Sequence, residues 1–183
     1  MSRILFVSEN YLKQFTVVND NVDPKLLKPA IRKAMDKYIQ PVLGTNLYQT
    51  LENDVESSSG SMAANNYQTL MNTYVLPALK EWVMYELRYD MLVKWRNKGL
   101  MTQSSENGTP ISMEDAEKIG NKYKDDAEFY TQRLVDYLCN YSDLYPEYDN
   151  NTNDQIQSQK NISSHGMYLG QWNGECSEDT WMK

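Results

Sequence analysis

Residues 67–95 read YQTLMNTYVLPALKEWVMYELRYDMLVKW, and the spacing of their apolar side chains decides the fold class. Tyr67, Leu70, Met71, Tyr74, Ala78, Trp82, Tyr85, Tyr89, Leu92 and Arg96 recur mostly at steps of three and four, the period of an α-helix. Val75, Leu79, Val83, Leu87, Met91 and Trp95 fill a second face. A helix apolar on two faces sits between other helices or against a neighbouring subunit. The pattern predicts one helix over about residues 63–98, closed by Gly99 as its C-cap. Pro77 lies inside it and predicts a kink or break near Thr73 to Pro77.

The segments on either side are helical too. After a polar loop from Met101 to Pro110, Ser112 predicts an N-cap, and Asp115 favours the positive helix end. Ala116, Ile119, Tyr123, Ala127, Tyr130, Leu134, Tyr137, Tyr141 and Leu144 then form a stripe close to a heptad seam. This helix is expected to pack antiparallel to the preceding one and to end at Pro146. Upstream, Asp23-Pro24 is a capping acid followed by proline at the first helical position. Leu26, Leu27, Ala30, Ile31, Ala34, Met35, Tyr38 and Ile39 follow at helical spacing, and Pro41 and Gly44 are expected to end that helix. Thr45 or Asn46 can cap a shorter one bearing Leu47, Tyr48, Leu51 and Val55, before a Ser-rich linker from Ser57 to Ser61. Ser8 can cap a first short helix with Tyr11 and Leu12 turned inward. The fold class read from these patterns is all-α: a small helical bundle with two long antiparallel helices, short N-terminal helices and an extended C-terminal arm. The helical domain is placed at residues 1–145 and the arm at 146–183.

Composition narrows the function. The 183 residues carry a formal net charge of −7 and include 14 Tyr but 3 Phe. A non-specific nucleic-acid binder needs a positive surface to displace counterions, and the overall balance argues against one. Tyrosine suits half-wet contact surfaces. Two cysteines, Cys139 and Cys176, cannot build a disulfide framework, and with the single His165 they cannot complete a zinc site without carboxylates. No phosphate loop, dinucleotide fingerprint or nucleophile elbow occurs. The expectation is a protein that is not an enzyme and holds no cofactor or metal. The start, Met1 to Val7, is too brief for a signal peptide, and no apolar run is long enough to span a bilayer. Residence in a reducing cytoplasm, or in a particle assembled there, is expected.

Two features are candidates for binding partners. The arm is rich in Asn, Gln and Ser and has a net charge of −4, yet it carries Met167, Tyr168, Leu169, Trp172 and Trp181. Alone it should be disordered, and large apolar side chains on such an arm are anchors for a partner groove. The helix after Pro24 carries Lys25, Lys28, Arg32, Lys33 and Lys37 against the single acid Asp36. Lys25, Lys28 and Arg32 share a face. It reads either as a solvated face or as a docking stripe for an acidic partner or nucleic acid.

Residues 34–51, AMDKYIQPVLGTNLYQTL, add a resemblance. This run resembles small helical head–tail connector proteins (adaptor or ring proteins) of tailed phages, above all those of crAss-like phages of Bacteroides. The order of short helices, Ser-rich linker, two long helices and trailing arm is similar as well, over roughly Ile4 to Leu144. The resemblance implies a structural virion protein at the head–tail junction. It would form a ring homo-oligomer, a dodecamer, below the portal protein, contact further tail or ring proteins, and let genomic DNA pass without binding it specifically. A net acidic lumen would keep DNA from sticking. The alternatives are a non-viral helical protein-interaction module, or a nucleic-acid binder acting through the stripe from Lys25 to Lys37.

Overall fold

The computed structural model describes residues 4–57, 65–97, 99–102, 111–150 and 155–160. The chain is mostly helical, as its periodicity predicts. Helix α1 (Glu9–Phe15) starts at Ser8, whose Oγ accepts the Tyr11 N–H at 3.1 Å. Helix α2 (Pro24–Ala34) starts at Asp23, whose carboxylate accepts the Lys25 N–H at 2.9 Å. These caps satisfy amide donors that a helix start leaves without intrahelical partners.

Pro41 does not end this helix. Met35–Ile39 forms a π turn that runs into α3 (Gln40–Leu43), and the Gln40 N–H bonds to Met35 O, five residues back. Proline has no N–H, and its ring crowds the carbonyl four residues earlier. Widening the preceding turn moves that carbonyl aside, so the helix passes the proline instead of stopping. Gly44 ends it. Its φ of 75° and ψ of 162° lie where only glycine sits without strain. Helix α4 (Thr45–Ser57) follows directly. Thr45 is its first residue rather than its cap, and its Oγ1 accepts the Ile156 N–H.

The same device recurs 36 residues later. Helix α5 (Asn65–Thr69) runs through a π turn (Leu70–Val75) into α6 (Leu76–Asp90), and the Leu76 N–H bonds to Met71 O. The expected break near Pro77 is therefore a π turn in an unbroken helical run. Tyr38-Ile39-Gln40-Pro41-Val42-Leu43 and Tyr74-Val75-Leu76-Pro77-Ala78-Leu79 share the pattern Tyr, β-branched residue, any residue, Pro, small or branched residue, Leu. Both tyrosines stack on an aromatic of a neighbouring helix. The Tyr38 and Trp82 rings lie 3.7 Å apart at 4°, and those of Tyr74 and Tyr137 lie 4.0 Å apart at 16°.

Helix α6 stops at Asp90, short of the predicted residue 98. The chain then forms an antiparallel pair, β1 (Val93–Arg96) with β2 (Gly99–Thr102), Val93 opposite Thr102 and Arg96 opposite Gly99. Gly99 thus begins a strand rather than capping a helix. Val93-Lys94-Trp95-Arg96 alternates apolar and basic residues, and β-branched and aromatic side chains suit a strand.

Helix α7 (Met113–Asn140) begins where expected, with Ser112 Oγ accepting the Asp115 N–H at 3.1 Å. It ends before Pro146. A 3₁₀ turn (Ser142–Leu144) leads to α8 (Pro146–Asp149), which Pro146 opens. Tyr145 and Tyr148 are fully buried, so the core continues past residue 145. The Ile156 N–H and Gln159 N–H bond back to Thr45 Oγ1 and Pro41 O, and the Thr45 N–H bonds to Ile156 O. Residues 146–149 and 155–160 of the expected arm thus pack on the bundle.

Helix α6 is the hub, with α7 and α2 packed along it. Trp82 Nε1–H donates to Thr131 Oγ1 at 2.9 Å, and Tyr74 meets Tyr137 further down, so α6 and α7 are antiparallel as predicted. Leu27, Ile31, Leu79, Val83, Leu134 and Leu138 fill the core between the three helices.

Candidate functional site

The basic stripe on α2 and the π turn after it is largely engaged within the chain. Glu86 on α6 is 7% exposed and faces it. Lys37 Nζ and Tyr38 Oη each donate to Glu86 Oε1 at 2.7 Å, and Lys33 pairs with Oε2. Burial alone would raise the pKa of this carboxyl. The hydrogen bonds from Lys33, Lys37 and Tyr38 outweigh it and hold the pKa down at about 2. Lys28 pairs with Glu9 at 3.0 Å. Lys25 and Arg32 are exposed, with no ion pair among the described residues. The five basic residues therefore do not present one continuous cationic face.

At the other end of the α6–α7 pair from α8 lies an apolar groove of about 250 Å³. Val17, Met84, Leu87, Met91, Ile119 and Tyr123 line it. Val17 is 81% exposed and Ile119 is 48% exposed. The heptad reading turns Ile119 inward; the structure leaves it at the groove. Burial, followed by Glu81 and Asp126, pushes the Tyr123 phenol pKa up. Arg88 lines the groove as well. Its guanidinium lies 3.6 Å from the Tyr85 ring centre and 4.3 Å from that of Tyr89, and one terminal nitrogen donates to Tyr85 O. Its Nε is buried with no hydrogen-bond partner among the described residues. The side chain has room because it crosses α7 at Gly120, where an added Cβ would meet Arg88 Cδ at 2.3 Å. A glycine inside a long helix was the one sequence signal for this crossing. A second hollow of about 300 Å³ lies beside Phe6, Tyr11, Val55, Met71 and Leu76.

Tyr168, Leu169, Trp172 and Trp181, the arm's expected anchors, lie outside the described residues, as do His165 and Cys176. Among the described residues no group of three or more His, Cys, Asp or Glu could hold a metal ion, and no helix is long and apolar enough to cross a membrane.

The described residues thus define a small helical protein with an apolar groove at one end of its α6–α7 pair. The chain belongs to a family of unknown function, DUF6712, whose model matches residues 39–157. The match runs from the last residue of the first π turn into the packed segment after α8. No curated protein and no solved structure is significantly similar to the chain.

Proposed function

We propose that this chain is a structural subunit of a tailed-phage head–tail connector, forming a ring below the portal through which DNA passes. One observation carries the reading beyond the resemblance of residues 34–51. The subunit leaves Val17, Ile111, Ile119 and Met91 exposed around the groove, at 81%, 50%, 48% and 40%, on a chain of net charge −7. Apolar residues gathered on one face of a polar protein mark a contact with another protein. In a ring each subunit offers two different surfaces to its two neighbours. The acidic balance suits a lumen that DNA crosses without being held. The role is architectural and calls for no catalysis or cofactor.

The nucleic-acid reading loses support because Glu86 and Glu9 engage Lys33, Lys37 and Lys28. The test is native mass by light scattering, for the chain alone and with portal protein from the same source. A ring in either sample supports the connector reading. A strict monomer that ignores the portal overturns it in favour of an interaction module outside the head–tail junction.

A further inference from the structure

We propose that the groove between α6 and α7 is the seat for the segment Met167–Trp172 of an adjoining copy of this chain. The inference rests on the ring reading and names the contact that would close it. Three observations carry it.

The first is chemical fit. The groove is apolar except for Arg88 and the Tyr123 phenol, and the Arg88 Nε is buried without a partner among the described residues. Residues 167–179 place Met167, Tyr168, Leu169 and Trp172 ahead of Glu175, Glu178 and Asp179. Such a segment supplies apolar anchors for the walls, and the acidic residues that follow it complement the charge of Arg88.

The second is position. Lys160 is held at the α8 end of the bundle, its Nζ 2.5 Å from Asp149, and the Gln159 N–H bonds to Pro41 O. The groove lies toward the start of α7. An arm that leaves one end of a subunit for a groove at the other end of its neighbour makes a head-to-tail contact, which closes a ring where the rotation between copies allows.

The third is reach. Eight residues from Lys160 to Tyr168 span at most about 28 Å when extended. Neighbouring helices pack only about 8–10 Å apart, so the segment can cross a subunit boundary.

The test uses the full chain with p-benzoylphenylalanine in place of Trp172. Equal amounts of light and heavy nitrogen-labelled protein are mixed, with and without portal, and photolysed. Mass spectrometry should find mixed-isotope crosslinks from position 172 to peptides carrying Met91 or Ile119. Ile119→Asp should reduce them about tenfold, as should Leu169→Ala on the arm. Ile119 is half-exposed, so thermal melting should show that the variant keeps its fold. Crosslinks of one isotope only would place the segment in its own groove and overturn the proposal. Crosslinks to another surface, or a yield that Ile119→Asp leaves unchanged, would also overturn it. Light scattering on the same samples separates the two readings: a ring without groove crosslinks defeats this inference alone, whereas monomers without mixed crosslinks defeat both.

Discussion

Lys37 Nζ lies 2.7 Å from Glu86 Oε1, joining the first π turn to the hub helix across 49 residues of sequence. Glu86 is nearly buried, while Lys37 and Lys33 are each 50% exposed. Glu86→Gln keeps the volume and removes the charge. It should lower stability at pH 7 by about 1–3 kcal/mol, less than a fully buried pair would cost, because the lysines can turn to water. The folded pKa of Glu86, about 2, lies below its ordinary 4.5. Its contribution is therefore complete above pH 4.5 and is lost as the pH falls toward 2. Urea unfolding from pH 7 to pH 3 should show wild type and Glu86→Gln converging in acid.

Thr131 accepts from Trp82 Nε1–H and donates to Ala127 O. Thr131→Val keeps the shape and leaves a buried indole donor without its acceptor. A loss of about 1–3 kcal/mol is expected, with an unchanged m-value in urea.

Gly120→Ala tests the crossing of Arg88 over α7. Alanine inside a helix normally stabilises by about 0.8–1 kcal/mol relative to glycine. Here its Cβ would sit 2.3 Å from Arg88 Cδ, so the side chain must leave its place on Tyr85 and Tyr89. The single change should therefore destabilise, by about 1 kcal/mol, and the same change in an Arg88→Ala background should stabilise. Equal effects in both backgrounds, measured by thermal melting, would contradict the described contact.

At Gly44 the backbone alone sets the outcome. With φ at 75° and ψ at 162°, any side chain is strained. Gly44→Ala should cost about 1–3 kcal/mol. Chemical denaturation measures it directly.

Local chemistry was readable from the sequence. Ser8, Asp23 and Ser112 cap helices as their types and neighbours predict, and the apolar stripes placed α2, α6 and α7. Two kinds of information were not there to read. At Pro41 and Pro77 a stop and a widened turn begin from the same residues, and the stacking of Tyr38 on Trp82 and of Tyr74 on Tyr137 favours continuation. Around Val93 to Arg96 a helical stripe and a two-residue alternation overlap, and pairing with Gly99–Thr102 resolves them as a strand. Tyr148 sits in the core although its surroundings read as a polar arm. The groove was hidden for a different reason. Val17, Met91 and Ile119 come from three segments, and only tertiary packing brings them together.

The bonds from Ile156 and Gln159 to Thr45 and Pro41 have a mechanical consequence. A pull on the chain beyond Lys160 reaches these bonds before it reaches α7. The load enters the bundle beside the Gly44 corner, more than 100 residues away in sequence, and at α8, where Lys160 pairs with Asp149 and Ser158 Oγ donates to Tyr148 O. Tension on the C-terminal segment would therefore be shared between shear across the α3–α4 corner and a pull on α8, and would reach the α6–α7 pair only through them.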